Sequence, residues 1–192
     1  VMIRPSSYYG GDFGKGLVMG KNSSIGPHGY IGCSGKIVIG ENVMFGPKCS
    51  LFAENHVFED SDETIKSQGV AQKGITIEDD CWIGSNCIIL DGVTIGKGSV
   101  IGNSTELKND IIFNSVQVPH YNYVGDSILG YKSHMGAGSI TSNVKSDKTI
   151  VVVKDSYDTK ETLDTGLKKF GAMLGDHVEV GCNSVLNPGT VI

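Results

Sequence analysis

One histidine stands beside residues that would suit it to acid–base chemistry. His56 follows Glu54 and Asn55 and precedes Asp60. Histidine has a reference pKa of about 6.5, so it is the side chain best matched to taking a proton at neutral pH. Such a base removes the proton of a hydroxyl as the oxygen attacks a carbonyl carbon, and contributes about 10²–10⁴-fold to the rate. We therefore treat His56 as the first candidate base.

The cysteines do not form a pattern that binds metal or that acts as a nucleophile. Their number is odd and no CxxC pair occurs, so neither a disulfide framework nor a structural zinc site is expected. Cys81 and Cys87 lie at positions expected to face an interior, where a thiol is inert. We expect reduced thiols, a cytoplasmic location, no requirement for a metal and no covalent thiol intermediate.

The elements that carry these residues repeat every six residues. Between residues 75 and 101 the repeat consists of pairs two residues apart, namely Ile75/Ile77, Cys81/Ile83, Cys87/Ile89, Val93/Ile95 and Ser99/Ile101. A period of six scatters side chains around a helix, whereas residues i and i+2 of a strand share a face. The pattern predicts three short strands to a coil of about 18 residues, with coils stacked about 4.8 Å apart. Thr105/Leu107 and Ile111/Phe113 are predicted to continue the pairs, and glycine is expected at the corners because it tolerates positive φ.

The period breaks twice, and both breaks are long. The spacings from Leu51 to Ile77 and from Thr141 to Leu174 are not multiples of six, and a slip is also expected at Pro119. Long loops without periodicity are usually functional, and His56 lies in the first of them. We predict one domain over 1–192, with an irregular lead-in (1–24), first coils (25–51), an extruded loop (52–74), regular coils (75–113), a second coil block (114–141), an extruded segment (142–171) and last coils (172–192).

Charge and hydropathy exclude several classes of protein. The chain carries 16 Lys and Arg against 21 Asp and Glu, for a formal net charge of -5. A nucleic-acid binder needs a basic face to displace counterions from phosphates, so nucleic acid is not an expected partner. The longest apolar runs are four residues, whereas a membrane helix needs about 20. We expect neither a membrane span nor a secretory signal.

The Ile-Gly hexads resemble those of the hexapeptide-repeat acyltransferases. Residues 20–102 are similar to maltose, galactoside and capsule-sugar O-acetyltransferases, through Ala53-Glu54-Asn55-His56 and the run from Ile77 to Ser85. Residues 106–192 are similar to the β-helical part of bacterial amino-sugar-phosphate acetyltransferase/nucleotidyltransferases, through the runs 119–126 and 136–143. The resemblance implies an all-β, left-handed parallel β-helix with two extruded loops, a homotrimer, and transfer from acetyl-CoA as cosubstrate to a small sugar acceptor.

The O-acetyltransferase resemblance implies roles around the first loop. It makes His56 the base, with Asn55, Glu54 or Asp60 orienting the ring or binding a sugar hydroxyl. It also assigns three residues to the trough for the pantetheine arm of CoA, namely Trp82, Ser85 and Asn103. The chain reads Asn103-Ser104 where this family usually has Ala-Gly-Ser.

The amino-sugar-phosphate resemblance implies a second set of roles. His120 matches the catalytic histidine and Tyr123 a tyrosine that contacts the substrate. Lys108 and Lys148 match lysines that hold the sugar phosphate, and Asn143 lies near the acceptor. An upstream phosphate-binding arginine has no counterpart, and His134 stands where an asparagine is expected.

Three functions remain open at this point. The first is an O-acetyltransferase that acts on a sugar hydroxyl with His56 as base, in sites between the subunits of a trimer. The second is N-acetylation of an amino-sugar phosphate with His120 as base. The third is a structural β-solenoid that has kept the fold and lost turnover, which predicts no affinity for CoA.

Overall fold

The computed structural model describes residues 1–7, 14–154 and 161–192. Within these ranges the chain forms short strands and turns, and no helix is long and apolar enough to cross a membrane. Most strands belong to three parallel sheets, and the chain visits the sheets in a fixed order as it advances. We name them faces A, B and C in that order, and name each corner by the two faces it joins.

The strands of the three faces stack in register from one coil to the next. Face A contains Met2–Arg4, Tyr30–Gly32, Ser50–Phe52, Ile88–Leu90, Glu106–Lys108, Tyr123–Gly125, Ile140–Thr141 and Val185–Leu186. Face B contains Leu17–Met19, Ile37–Ile39, Ile75–Ile77, Thr94–Ile95, Ile111–Ile112, Ile128–Leu129, Ala172–Leu174 and Thr190–Val191. Face C contains Ser24–Ile25, Met44–Phe45, Trp82–Ile83, Val100–Asn103, Gln117–His120, His134–Met135 and Glu179–Val180.

The predicted left-handed parallel β-helix is confirmed, and its core is the column of inward side chains. All ten members of the pairs between residues 75 and 101 are at most 1% exposed. Along face A, Leu51, Ile89 and Leu107 are stacked rung on rung by the strand register. Stacking of this kind buries each inward side chain against the coils on either side, so the core is continuous although each coil is small.

The register departs from the predicted period at two places on one corner. Ile77 pairs with Ile95 at the usual spacing, but Ile95 pairs with Ile112 and Ile112 pairs with Leu129, each 17 residues further on. The predicted inward pair Ile111/Phe113 is therefore wrong, because Asp110 and Ile112 face the interior instead. In both coils the missing residue is at the AB corner, where successive inward positions are five residues apart instead of six. The slip expected at Pro119 is also wrong, since Val118 and Val124 remain six residues apart and buried.

The glycines that follow inward isoleucines serve close packing between coils. A Cβ on Gly84 or Gly96 would lie within 3 Å of the backbone of the next coil. Neither glycine has a positive φ, and the left-handed position of these corners falls two residues later, at Asn86 and Gly98. The prediction that glycine supplies positive φ is therefore wrong at these positions. Asn, Asp, Lys, Ser and His residues occupy many of the left-handed sites.

Both long insertions leave the β-helix at the AB corner. The first departs after Ser50–Phe52 and returns at Ile75–Ile77, and it contains the antiparallel pair Asn55–His56 and Val70–Ala71. The second departs after Ile140–Thr141 and returns at Ala172–Leu174, with the antiparallel pair Val152–Lys154 and Thr162–Asp164. Within the stretch predicted as an irregular lead-in, strands at 2–4 and 17–19 already join faces A and B; residues 8–13 fall outside the described ranges.

Candidate functional site

His56 lies in the first insertion, on a short strand beyond the AB corner. The strand pairs Asn55 with Ala71 and His56 with Val70, and the imidazole is exposed. Glu54 accepts a hydrogen bond of 2.7 Å from the Ser34 hydroxyl, which ties the base of the loop to the previous coil. The arrangement presents His56 on an ordered hairpin.

Asp60 closes a turn within the same loop. Its carboxylate accepts a hydrogen bond of 2.9 Å from the main-chain N–H of Asp62. Its own main-chain N–H and C=O are both held by the Gln68 side chain, at 3.0 and 2.9 Å. The contacts of Asp60 therefore serve the shape of the loop.

The two insertions contact each other along the AB corner. The Lys169 ammonium lies 5.0 Å from the centre of the Phe58 ring, within the range of a cation–π contact. The loops start four coils apart, about 19 Å along the axis at the usual strand spacing. The contact therefore bridges the AB corner of the coils between them.

The residues predicted to hold CoA lie on the other side of the prism. Trp82 is on face C between Met44 and Val100, and half of its side chain is exposed. Ser85 and Asn103 occupy the CA corner in successive coils, where the Ser85 N–H donates to Asn103 Oδ1 at 2.9 Å. Face C is opposite the AB corner in a three-sided prism, so Trp82 and His56 are on opposite sides of one chain.

His120 lies at the CA corner, one coil after Asn103. The two residues are partners in the face C ladder, and His120 is exposed at the end of its strand. Its main-chain N–H donates to Asn122 Oδ1 at 3.0 Å, and its C=O accepts from Gly138. Asn122 in turn is buried and bonded to Ser139. The corner that carries His120 is thus fixed by buried hydrogen bonds.

A cluster of polar side chains extends from face A to the AB corner, at the end of the face A strands that is farther from His120. Asn143 Nδ2 contacts the Tyr123 hydroxyl at 3.3 Å and the Asp126 carboxylate at 2.5 Å. The other oxygen of Asp126 accepts a bond of 2.6 Å from the Asn109 amide. Lys108 ends the neighbouring strand of the same face. Two residues predicted to contact the acceptor, Tyr123 and Asn143, therefore meet directly.

Tyr123 keeps its proton in this cluster. Burial raises the pKa of the phenol, the nearby carboxylates of Asp126, Asp110 and Glu106 raise it further, and the bond from Asn143 lowers it. The hydroxyl is therefore neutral at physiological pH and has a proton to donate.

The structure places two further predicted positions. Lys148 lies exposed in the second insertion. His134 lies on face C, where its Nδ1 is 2.7 Å from the Glu179 carboxylate on the next coil. Within the described ranges no group of three or more His, Cys, Asp or Glu side chains is arranged to hold a metal ion.

Sequence reasoning assigned no role to the acidic residues of the AB corner. Asp126 belongs to the matched run 119–126, but the sequence does not indicate its contacts with Asn109 and Asn143. The signal for Asp110 is the five-residue step from Thr105/Leu107 to the next inward pair, which makes an aspartate an inward residue.

The buried thiols give a testable statement about reactivity. Cys33, Cys49, Cys81 and Cys87 are buried and Cys182 is exposed, and burial raises the pKa of Cys33 and Cys81. Since the thiolate is the reactive form, we expect a single thiol of the native protein to react rapidly with Ellman's reagent, and five after denaturation. Rapid reaction of two or more native thiols would contradict this assignment.

A three-sided prism whose coils are built from six-residue repeats, each supplying one pair of inward side chains, defines a hexapeptide-repeat protein. Residues 70–192 match the family described as the GMPPB C-terminal domain, which is more than half of the chain. The chain therefore belongs to this family, and the predicted membership of the hexapeptide-repeat group is confirmed.

The curated relatives are longer proteins. A "Bifunctional protein GlmU" of Methanococcus vannielii is 34% identical over 58% of this chain and 26% of its own length. Another of Carboxydothermus hydrogenoformans is 27% identical over 100% of this chain and 39% of its own length. A "Bifunctional sugar-1-phosphate nucleotidylyltransferase/acetyltransferase" of Sulfurisphaera tokodaii is 30% identical over 79% and 38%. The chain thus spans between about a quarter and two fifths of these relatives.

Among the solved structures that match this chain is a hexapeptide-repeat-containing acetyltransferase of Vibrio cholerae O1 biovar eltor, complexed with acetyl coenzyme A. It shares 25% identity over 59% of this chain and 57% of that chain, with a TM-score of 0.37.

Proposed function

We propose that this chain transfers an acetyl group from acetyl-CoA to the amino group of an amino-sugar phosphate, with His120 as the general base. The observation that carries the proposal is the contact between Tyr123 and Asn143 on face A, three residues along the chain from the corner that presents His120. The name of one relative, "Bifunctional sugar-1-phosphate nucleotidylyltransferase/acetyltransferase", supports acetyl transfer in the metabolism of a sugar phosphate.

The acceptor would lie along face A. The neutral Tyr123 hydroxyl and the Asn143 amide offer hydrogen bonds to sugar hydroxyls, and the Lys108 ammonium offers a charge to the phosphate. A site built from buried or fixed polar groups discriminates strongly, because an acceptor without matching groups leaves them unpaired. The acetyl donor would approach over Trp82 and Ser85 and reach Asn103 beside the base.

The transfer needs one proton to move and one bond to exchange. His120 takes a proton from the acceptor nitrogen as that nitrogen attacks the thioester carbonyl carbon. A main-chain N–H of the CA corner would donate to the oxygen on which negative charge develops. The carbon–sulfur bond then breaks and CoA leaves as a thiol with that proton, which leaves an amide on the sugar.

We propose that the chain forms a homotrimer through face B. The central outward position of face B holds no charged residue in any of its eight described strands, and the residues are Val18, Val38, Thr76, Thr94, Ile111, Ile128, Met173 and Val191. A continuous uncharged column of this length is typical of an interface. With face B of each prism turned toward the threefold axis, the AB corner of each chain would lie beside the BC corner of its neighbour.

The Ile111→Lys variant tests this interface. A lysine in the centre of face B would be buried without a partner, so we expect the mass in solution to fall from three chains to one chain of 20.4 kDa. Light scattering coupled to size exclusion measures the change. Val185→Lys places the same charge at an exposed apolar position of face A and should leave the trimer intact. A monomeric wild type, or a trimeric Ile111→Lys variant, would contradict the proposal.

The second candidate is acetylation of a sugar hydroxyl with His56 as base. One observation favours it: the insertion that carries His56 and the strand that carries Trp82 belong to the same coil. In a trimer with face B inside, the AB corner of one chain is near face C of its neighbour, so the two residues would meet across the interface. The active site would then lie between subunits, with His56 from one chain and Trp82 from its neighbour.

The chemical nature of the product distinguishes these functions. We incubate the protein with acetyl-CoA and either an amino-sugar phosphate or a neutral sugar, and identify the product by mass. An amide survives mild alkali, whereas an ester is hydrolysed. An alkali-stable product formed only from the amino sugar is the expected result. An ester overturns the proposal, and no CoA binding by calorimetry at millimolar concentration indicates a structural solenoid.

A further inference from the structure

Asp110 is a buried carboxylate directly beneath the face A cluster. Its side chain is 0% exposed and faces the interior of the prism. One oxygen accepts the main-chain N–H of Lys108 at 2.9 Å, and the other accepts the main-chain N–H of Ser127 at 3.0 Å. A charged or polar group in such a place persists only if it is hydrogen-bonded, and both of these bonds are to main-chain donors.

These two bonds join the two shortened corners. Each of these corners is one residue shorter than a regular corner, and the left-handed residues Asn109 and Asp126 fall there with φ of 55° and 51°. Asp110 occupies the inward place that an apolar residue holds in regular coils. Its carboxylate oxygens accept hydrogen bonds from main-chain N–H groups of two successive coils. Asp110 therefore links these coils as a hydrogen bond between paired β-strands does.

The residues that Asp110 holds are next to those that would touch the acceptor. Lys108 is bonded directly through its main chain, and Ser127 follows Asp126. Asp126 is the anchor of Asn143, which contacts Tyr123. A shift of either corner would therefore move the Lys108 ammonium relative to the Asn143 amide.

We infer that Asp110 is a positioning residue for the acceptor: through the Lys108 and Ser127 main-chain groups it sets the separation between Lys108 and the Asn143–Tyr123 pair. The inference rests on the proposed function, because it assigns these residues to the binding of the acceptor. Burial raises the pKa of Asp110 well above its usual range, the two N–H donors lower it, and the Asp126 charge raises it. The cost of keeping this group in the core agrees with a specific role.

The Asp110→Asn variant tests the inference by steady-state kinetics. The amide has nearly the shape of the carboxylate but turns an NH₂ group toward one of the two main-chain donors. We expect KM for the amino-sugar phosphate to rise about 5–10-fold, with kcat and the KM for acetyl-CoA changed less than about twofold. The double variant Asp110→Asn, Asn143→Ala should bind the acceptor no worse than Asn143→Ala alone, because both act on one group of contacts.

Ser99→Ala is the matched control. Ser99 is also buried, and its hydroxyl bonds to two main-chain groups of the next coil, Phe113 C=O and Val116 N–H, but at the BC corner. The variant should leave both KM values unchanged. An equal rise of both KM values in Asp110→Asn, or an unchanged KM for the acceptor, would overturn the inference.

A second measurement separates failure of the inference from failure of the proposed function. Hydrogen exchange of the Lys108 and Ser127 amides reports directly on the two bonds, and it should accelerate in Asp110→Asn and not in Ser99→Ala. Exchange that stays at the wild-type rate overturns the inference even if the enzyme is active. If the wild type acetylates no amino-sugar phosphate, the proposed function fails. If Asp110→Asn does not fold, Asp110→Ser keeps one acceptor oxygen and is tested in the same way.

Discussion

Replacing His120 with alanine is expected to lower the rate of acetyl transfer to an amino-sugar phosphate by about 10²–10⁴-fold. The loss corresponds to removing the general base. His120 is exposed at the end of its strand and its corner is held through main-chain groups, so the substitution should leave the fold and the stability almost unchanged. Release of the CoA thiol from acetyl-CoA gives the rate.

His56→Ala is the matched variant for this experiment. It removes an exposed histidine from the first insertion, at the AB corner and not at the CA corner that carries His120, and we expect less than about a threefold change in rate. Activity that survives the loss of His120 but not that of His56 would assign the base to the first insertion and favour the second candidate. Loss of activity in neither variant would exclude both bases.

The largest expected effect on stability is at Ile112. Its side chain is 1% exposed and stacks between Ile95 and Leu129 in the interior column. Replacing it with alanine removes buried methyl and methylene groups and leaves a cavity in a core that cannot easily collapse. We expect the free energy of unfolding to fall by about 2–5 kcal/mol, measured by urea denaturation.

Ile111→Ala is a control one residue away on the same strand. This side chain points outward and is 50% exposed. In the isolated prism we expect a loss of less than about 1 kcal/mol, and a larger effect only at concentrations where chains associate through face B. If Ile111→Ala costs more than Ile112→Ala at low concentration, the side chains of this strand face the opposite way from the structure described here.

The hexads predicted the interior of the β-helix because a two-residue pair per strand is enough to identify an inward face. Ile83 and Ile89, for example, are buried as the spacing requires. The spacing contains no information about a corner that loses a residue, so Ile111 was assigned to the wrong side. A corner is shaped by hydrogen bonds to residues one coil away, such as Ser127 to Asp110. These pairs are 17 residues apart and no local pattern marks them.

The candidate site was predictable only in part, for a related reason. The resemblance identified Tyr123 and Asn143 as neighbours of the acceptor, and the structure brings their side chains together. Which corner each histidine occupies depends on the number of residues in every preceding coil. The separation of His56 from Trp82 therefore became clear only with the three faces in place. The Phe58–Lys169 contact joins two loops whose lengths follow no period.

The position of both insertions at one edge has a consequence for how this architecture tolerates change. The rungs continue past each departure point: Leu51 pairs with Ile89 and Thr141 with Leu186, as though nothing had been added between the strands. An insertion at this corner interrupts no strand pairing. The length and composition of the insertion can therefore vary while the β-helix is unaffected. New binding properties can therefore be acquired by replacing these insertions while the β-helix stays unchanged.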